Sequence, residues 1–289
     1  MKDLLIKGGL VVNHCSRKEI DILIDGGKII GLGQFETELA RKTVDASGKI
    51  VIPGGIDSHT HIEMERPFMG ATGKENFYTA SVAAAIGGTT TLVDFATVYK
   101  GELPLERAKN RTNMALERGI VIDFGLHMIL TDVNDSILAE IGDVVEYGTP
   151  SFKFYTIYDG FGIDDGMILD LLKEIKKHNG LPLAHAENES LYKRNLEFLK
   201  ATGQTGWRGH MLSKPNLVEE EAIRRVACFA EHLSMPMMIF HMTTKEGEEI
   251  VRAAQKRGVP LYSETCSHYL VFNDEVYDRK DGNLYIISP

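Results

Sequence analysis

"IVIPGGIDSHTHIE", residues 50–63, decides how the rest of the chain is read. It begins as an apolar strand, turns polar after Pro53, and ends in His59 and His61, one residue apart. In an extended chain, side chains i and i+2 project to one side, about 6 to 7 Å apart along the strand. Both imidazoles therefore face one target, and a transition metal suits such a pair, because neutral imidazole is a common ligand. The pair alone is a weak signal. Ten histidines in 289 residues give roughly 0.3 His-x-His pairs by chance, so its surroundings must decide.

Upstream, the short runs "LLIKGGLVV", "IDILIDGGKIIGLG" and "TVDASGKIVIPG" are broken at Gly8-Gly9, Asp25-Gly26-Gly27 and Ser47-Gly48, which are hairpin signals. Residues 1–50 read as the N-terminal part of a small β-sandwich module. Downstream, apolar strands alternate with polar loops and amphipathic helices, the grammar of parallel βα units. Seven strands are expected, at residues 50–63, 89–96, 120–130, 151–156, 181–188, 235–243 and 259–270. Helices at 77–88, 166–180 and 218–233 have apolar residues recurring at three and four. This predicts an α/β fold in which residues 51–289 form a TIM-type (β/α)₈ barrel. The chain reaches "NLYIISP" without an eighth strand, so the expectation is a barrel truncated at its C-terminus. The N-terminal module would then lack strands returning from the missing part. "AIGGTTT" (85–91) lacks the Gly-Lys-Ser/Thr ending of a phosphate loop and reads as a helix-to-strand turn.

With 43% apolar residues the chain can bury a large core. Its net charge of −9, with no basic block, speaks against a nucleic-acid surface. The opening "MKDLLIKGGLVVNHCSRKEI" has no signal-peptide h-region, and no run approaches the roughly 20 apolar residues of a membrane span, so the expected location is cytoplasmic. Cys15, Cys228 and Cys266 are scattered without CxxC spacing and read as reduced thiols.

In parallel barrels the chemistry lies at the C-terminal ends of the strands. There this chain places His59 and His61, Lys153 in "SFKFYT", His185 in "LAHAEN" and His241 in "IFHMT". Each follows a run of apolar residues, where an unused polar group is costly to bury. His127 also ends a strand but has no neighbouring ligand, and Asp94 reads as capping a loop amide. The other histidines, His14, His178, His210, His232 and His268, read as structural. Lys153 is harder to explain, because an ammonium has no lone pair for a metal. As a carbamate it would be a carboxylate able to bridge two cations, which would compensate its burial. An ion-paired or snorkelling lysine remains the alternative.

"PGGIDSHTHIE", "SFKFYTIYDG", "HAEN", "IFHMTT" and "SETCSHYL…YIISP", in this order and spacing, resemble the cyclic amidohydrolases, in particular dihydropyrimidinases and D-hydantoinases, over essentially the whole chain. The resemblance implies a binuclear metal centre, commonly of zinc, with manganese, cobalt or iron as other occupants. Its ligands would be His59, His61, a carbamylated bridging Lys153, His185 and His241. The family's remaining ligand, an aspartate from strand eight, has no counterpart here. Tyr158, five positions after the lysine, matches the catalytic and substrate-binding tyrosine, and Ser288 matches the serine whose backbone holds the substrate amide. One loop departs from the pattern: "IEMERPFMG" reads as two residues longer around Glu65 and Arg66, next to the substrate pocket.

The implied reaction opens dihydropyrimidines or 5-substituted hydantoins to N-carbamoyl amino acids. A metal-bridging hydroxide would attack while Tyr158 donates to the developing oxyanion. The missing aspartate would carry the proton, so a preparation of these residues alone is expected to be inactive. Two other readings stand beside it. Allantoinases and dihydroorotases are not expected to keep the tyrosine, and non-catalytic dihydropyrimidinase-related scaffold proteins generally have eroded ligands. The implied partners are a small cyclic amide and further copies of the chain, as a dimer or tetramer.

Overall fold

The structure is a computed structural model that describes residues 1–66, 71–72 and 75–289. The chain divides into two compact units, Met1–Asp57 with Ala84–Thr91, and Ser58–Ala83 with Leu92–Pro289.

In the first unit, glycine chemistry separates one true hairpin from two crossovers. Asp21–Asp25 pairs antiparallel with Lys28–Gly33 across Gly26 and Gly27, whose φ angles of 56° and 73° suit a tight hairpin turn. At Gly8-Gly9 and Ser47-Gly48 the chain instead passes from one sheet to another. Lys2–Lys7 lies parallel to Ala40–Asp45 in a four-stranded sheet, and Leu10–Val12 lies parallel to Ile50–Val51 in a three-stranded one. The hairpins expected at these two places are therefore absent. Gly9 is needed there for close approach, since a Cβ would come 2.6 Å from Val51 Cγ2. A small core of Leu5, Leu23 and Ala40, with Phe35 against it, holds the four-stranded sheet.

The stretch at 50–63 is not one strand. Ile50–Val51 belongs to the three-stranded sheet, Pro53 and Gly54 interrupt the ladder, and the chain resumes as β1 (Gly55–Asp57). Six strands follow: β2 (Thr89–Val98), β3 (Asp123–Leu130), β4 (Ser151–Tyr155), β5 (Leu181–His185), β6 (Met237–Ile239) and β7 (Leu261–Ser263). Among the described residues they form one seven-stranded sheet in which every strand lies beside its sequence neighbour, and the pairs from β3 to β7 are parallel. This is the strand order of a TIM-type barrel. β6 and β7 are much shorter than expected, because the residues after Ile239 and Ser263 leave the ladder as loops. Helices Phe77–Ile86, Asp165–Lys177 and Asn216–Leu233 form near the expected places, and Asp164 caps the second through a 2.9 Å bond from Met167 N. "AIGGTTT" is a helix-to-strand turn, with Gly88 at φ 89° between Ile86 and Thr89.

β4 shows how the layers are assigned. Phe152 and Phe154 point into the outer core with helix residues such as Ile168, Leu171 and Ile223, while Tyr155 joins Phe95, Ile129, Leu183 and Phe240 in an inner cluster. Burying each phenylalanine contributes about 1.5–3 kcal/mol, enough to fix which face points inward. Lys153, alternating with the two phenylalanines, is thereby held in the barrel interior. No disulfide forms among the three cysteines. Among the described residues no helix is long and apolar enough to cross a membrane. The reading of a longer "IEMERPFMG" loop falls in part on residues 67–70, outside the described residues; of its remainder, Glu65–Arg66 pairs antiparallel with Ala71–Thr72.

Candidate metal centre

Lys153 stands at the middle of the site. It is 1% exposed, and its Nζ lies 4.7, 4.9 and 5.1 Å from the ring centroids of Phe95, Tyr155 and Phe240. Aromatic faces return only part of the hydration an ammonium loses. Desolvation accordingly draws its pKa down to about 7, against the opposing pull of Glu264. Near neutral pH much of this amine is uncharged and carries a lone pair.

Four imidazoles gather around it. His59 and His61 follow the end of β1 rather than lying on it, yet their Nε2 atoms are 3.3 Å apart, and Lys153 Nζ is 3.3 Å from His59 Nε2. The ring centroids of His59 and His241 are 5.4 Å apart, and those of His185 and His241 are 4.5 Å apart. Burial lowers the pKa of His185 to about 4 and that of His241 well below the usual range, so both rings are neutral, the ligating form. His241 Nδ1 is buried with no hydrogen-bond partner among the described residues, and its backbone is left-handed at φ 41°. Such strain in a non-glycine residue persists only where the surroundings enforce it.

Two carboxylates that the sequence reading passed over hold two of these rings. Glu264, just beyond β7, pairs with His59 Nδ1, and Glu187 accepts from His185 Nε2 at 2.7 Å. A carboxylate on one ring nitrogen fixes the tautomer and leaves the other nitrogen's lone pair available, the usual support of a metal-binding histidine. Glu187 is 1% exposed, and its Oε2 also accepts from Tyr158 Oη and Lys214 Nζ, each at 2.9 Å. Burial would raise its pKa, but His185 and Lys214 outweigh this and hold it down at about 2.

Tyr158 lies on the loop after β4 with φ 78°, and its ring centroid is 5.3 Å from that of His185. Burial, reinforced by Glu187, keeps its phenol protonated. Ser288 Oγ lies 3.2 Å from Lys214 Nζ, and the same Nζ contacts Tyr158 Oη, so the two substrate candidates meet through one lysine.

His127 and Asp94 are otherwise occupied. His127 Nε2 donates to Ser58 O at 3.0 Å and Nδ1 is bonded to Ser151 Oγ, while burial draws its pKa down to about 4. Both nitrogens are spent. Asp94 accepts from Ile62 N at 2.8 Å, the loop-amide cap expected of it, and forms a buried ion pair with Arg111.

Among the described residues no three His, Cys, Asp or Glu side chains form a metal cage by themselves. The histidines are grouped around the Lys153 amine instead. Neutral imidazoles, an unsatisfied buried nitrogen on His241 and two orienting carboxylates fit a divalent transition metal.

Known proteins resemble the chain over nearly its whole length. A model described as the amidohydrolase family matches residues 50–275. The D-hydantoinase of Ralstonia pickettii is 37% identical over 290 residues, covering 99% of this chain and 63% of the relative. A solved D-hydantoinase structure superposes with a TM-score of 0.94 at 37% identity, covering 99% of this chain and 63% of that one. The dihydropyrimidinase of Brevibacillus agri does so with a TM-score of 0.93 at 32% identity, covering 100% and 63%. The chain thus spans about 63% of the length of these proteins.

Proposed function

This chain belongs to the amidohydrolase family, and from that premise we propose that it is a metal-dependent cyclic amidohydrolase, opening dihydropyrimidines or 5-substituted hydantoins to N-carbamoyl amino acids. The observation that carries the reading is Lys153: a lysine 1% exposed, walled by three aromatic rings and set among four histidines, with its pKa drawn down to about 7. A neutral amine adds to carbon dioxide, forming an N–C bond and releasing a proton. The product is a carboxylate on a long stem, placed beside His59.

In this reading His59, His61, the Lys153 carbamate, His185 and His241 hold two divalent ions, zinc first, with manganese, cobalt or iron according to supply. When bound, the ions supply Lewis acidity, which acidifies water and polarises the scissile carbonyl. The chain's own residues do the rest. Tyr158 donates its hydroxyl proton to the carbonyl oxygen as negative charge grows there. Ser288 presents its backbone to the ring amide. Phe95, Tyr155 and Phe240 keep water from Lys153, and Glu264 and Glu187 keep His59 and His185 in the ligating tautomer. The same reading makes residues 51–289 the catalytic barrel and residues 1–50 an accessory β module, in a cytoplasmic dimer or tetramer that light scattering would size.

Two measurements on the full-length protein test it: metal per chain by elemental analysis, with Lys153→Ala beside the parent, and initial rates on dihydrouracil, hydantoin, allantoin and dihydroorotate. The expectation is metal in the parent, marked loss in the variant, and fastest turnover of dihydrouracil or a hydantoin. A parent without metal after growth with zinc or manganese and bicarbonate would leave the scaffold reading in its place.

A further inference from the structure

Lys214 belongs to no motif of the sequence and to no ligand set. It follows helix Trp207–Ser213 and turns inward until its side chain is only 8% exposed. Its Nζ contacts Tyr158 Oη, lies 2.9 Å from Glu187 Oε2 and 3.2 Å from Ser288 Oγ, and sits 4.8 Å from the centroid of the Tyr158 ring and 5.3 Å from that of Tyr192.

An ammonium has three donors, and here three acceptors meet them. The phenol of Tyr158 has one proton, which it gives to Glu187, while its oxygen receives from Lys214. Glu187 Oε2 keeps His185 and Lys214 as donors whether or not Tyr158 is bonded to it. The phenol can therefore turn its proton toward a substrate by rotation about its C–O bond, without leaving a buried carboxylate unsatisfied. A cation donating to the phenol oxygen also strengthens that O–H as a donor.

We propose that Lys214 is a positioning residue for this reaction: it aims the Tyr158 hydroxyl, strengthens it as a donor, and ties it to Ser288. This rests on the cyclic amidohydrolase reading.

The test uses the full-length, metal-loaded protein. Lys214→Met should lower kcat for ring opening about 10- to 100-fold, less than loss of a whole oxyanion donor, with KM and metal content close to those of the parent. Lys214→Arg should restore most of the rate. In a Tyr158→Phe background, Lys214→Met should cost nothing further, because the group it acts through is gone. An independent, multiplicative loss there would overturn the proposal, and so would parental kcat in Lys214→Met. If Lys214→Met fails to fold because Glu187 is left unpaired, Lys214→Met with Glu187→Gln is compared with Glu187→Gln alone. Equal kcat in those two would reduce Lys214 to a counter-charge and overturn the proposal, whereas a further loss of about 10-fold is expected. If the parent opens no cyclic amide, the reaction reading fails separately. The crystal structure of Lys214→Met then decides this one: a Tyr158 hydroxyl drawn toward Glu187 and away from Ser288 is expected, and an unmoved one overturns it.

Discussion

His59 and His185 are both held by a carboxylate, but in different surroundings. The side chains of His59 and Glu264 are 14% and 16% exposed, those of His185 and Glu187 only 3% and 2%. At the first end water can complete the carboxylate's hydrogen bonds, and among the described residues Glu264 takes one side-chain partner, His59. At the second end water is gone, and the anion persists because Lys214 and Tyr158 converge on the same oxygen. The same chemical device thus gives the carboxylate one side-chain partner among the described residues where it meets solvent and three where it does not. Burial, not the histidine, dictates how many partners the carboxylate recruits.

The largest effect should come from the residue between the two ends. Lys153→Ala should remove most of the bound metal, read by elemental analysis, and lower ring opening by on the order of 10³-fold or more. Next, Glu187→Ala strands a buried ammonium and should destabilise the protein by about 3–5 kcal/mol, seen as a lower urea midpoint. Glu264→Ala, in its wetter setting, should cost about 1 kcal/mol; equal losses would erase the contrast between the ends. A smaller and more specific effect is expected from Glu264→Gln. It should weaken metal retention about tenfold in competition with a chelator while leaving the urea midpoint near that of the parent. Smallest of all, His127→Gln should keep the parent's metal content, because both nitrogens of His127 are engaged elsewhere.

The parts of the site that the sequence disclosed are those written in the repeat of the fold. A polar residue ending an apolar strand is visible in one dimension, so His59, His61, Lys153, His185 and His241 could be picked out before any contact was known. Glu187 was within reach by the same logic, being two residues beyond His185 in "HAEN". Glu264 was not, because 205 residues separate it from His59 and no local pattern links them. Lys214 was hidden for a different reason: it leaves a helix end, where neither period 2 nor period 3.6 applies. The misplaced hairpins have a similar cause. Gly8-Gly9 and Ser47-Gly48 look like turns in sequence, but whether a glycine pair reverses the chain or lets it change sheets depends on partners about forty residues away.

The alternation along β4 has a consequence for anyone who would alter the protein. Its five residues are in register with β5, Phe152 opposite Pro182 and Lys153 opposite Leu183. Inserting or deleting a single residue there would exchange the two faces, pressing a phenylalanine into the site and an amine into the apolar layer beneath the helices. The strand should therefore accept changes of identity on its outer face far more readily than any change of length, and libraries or grafts that join the chain at this strand must conserve its parity.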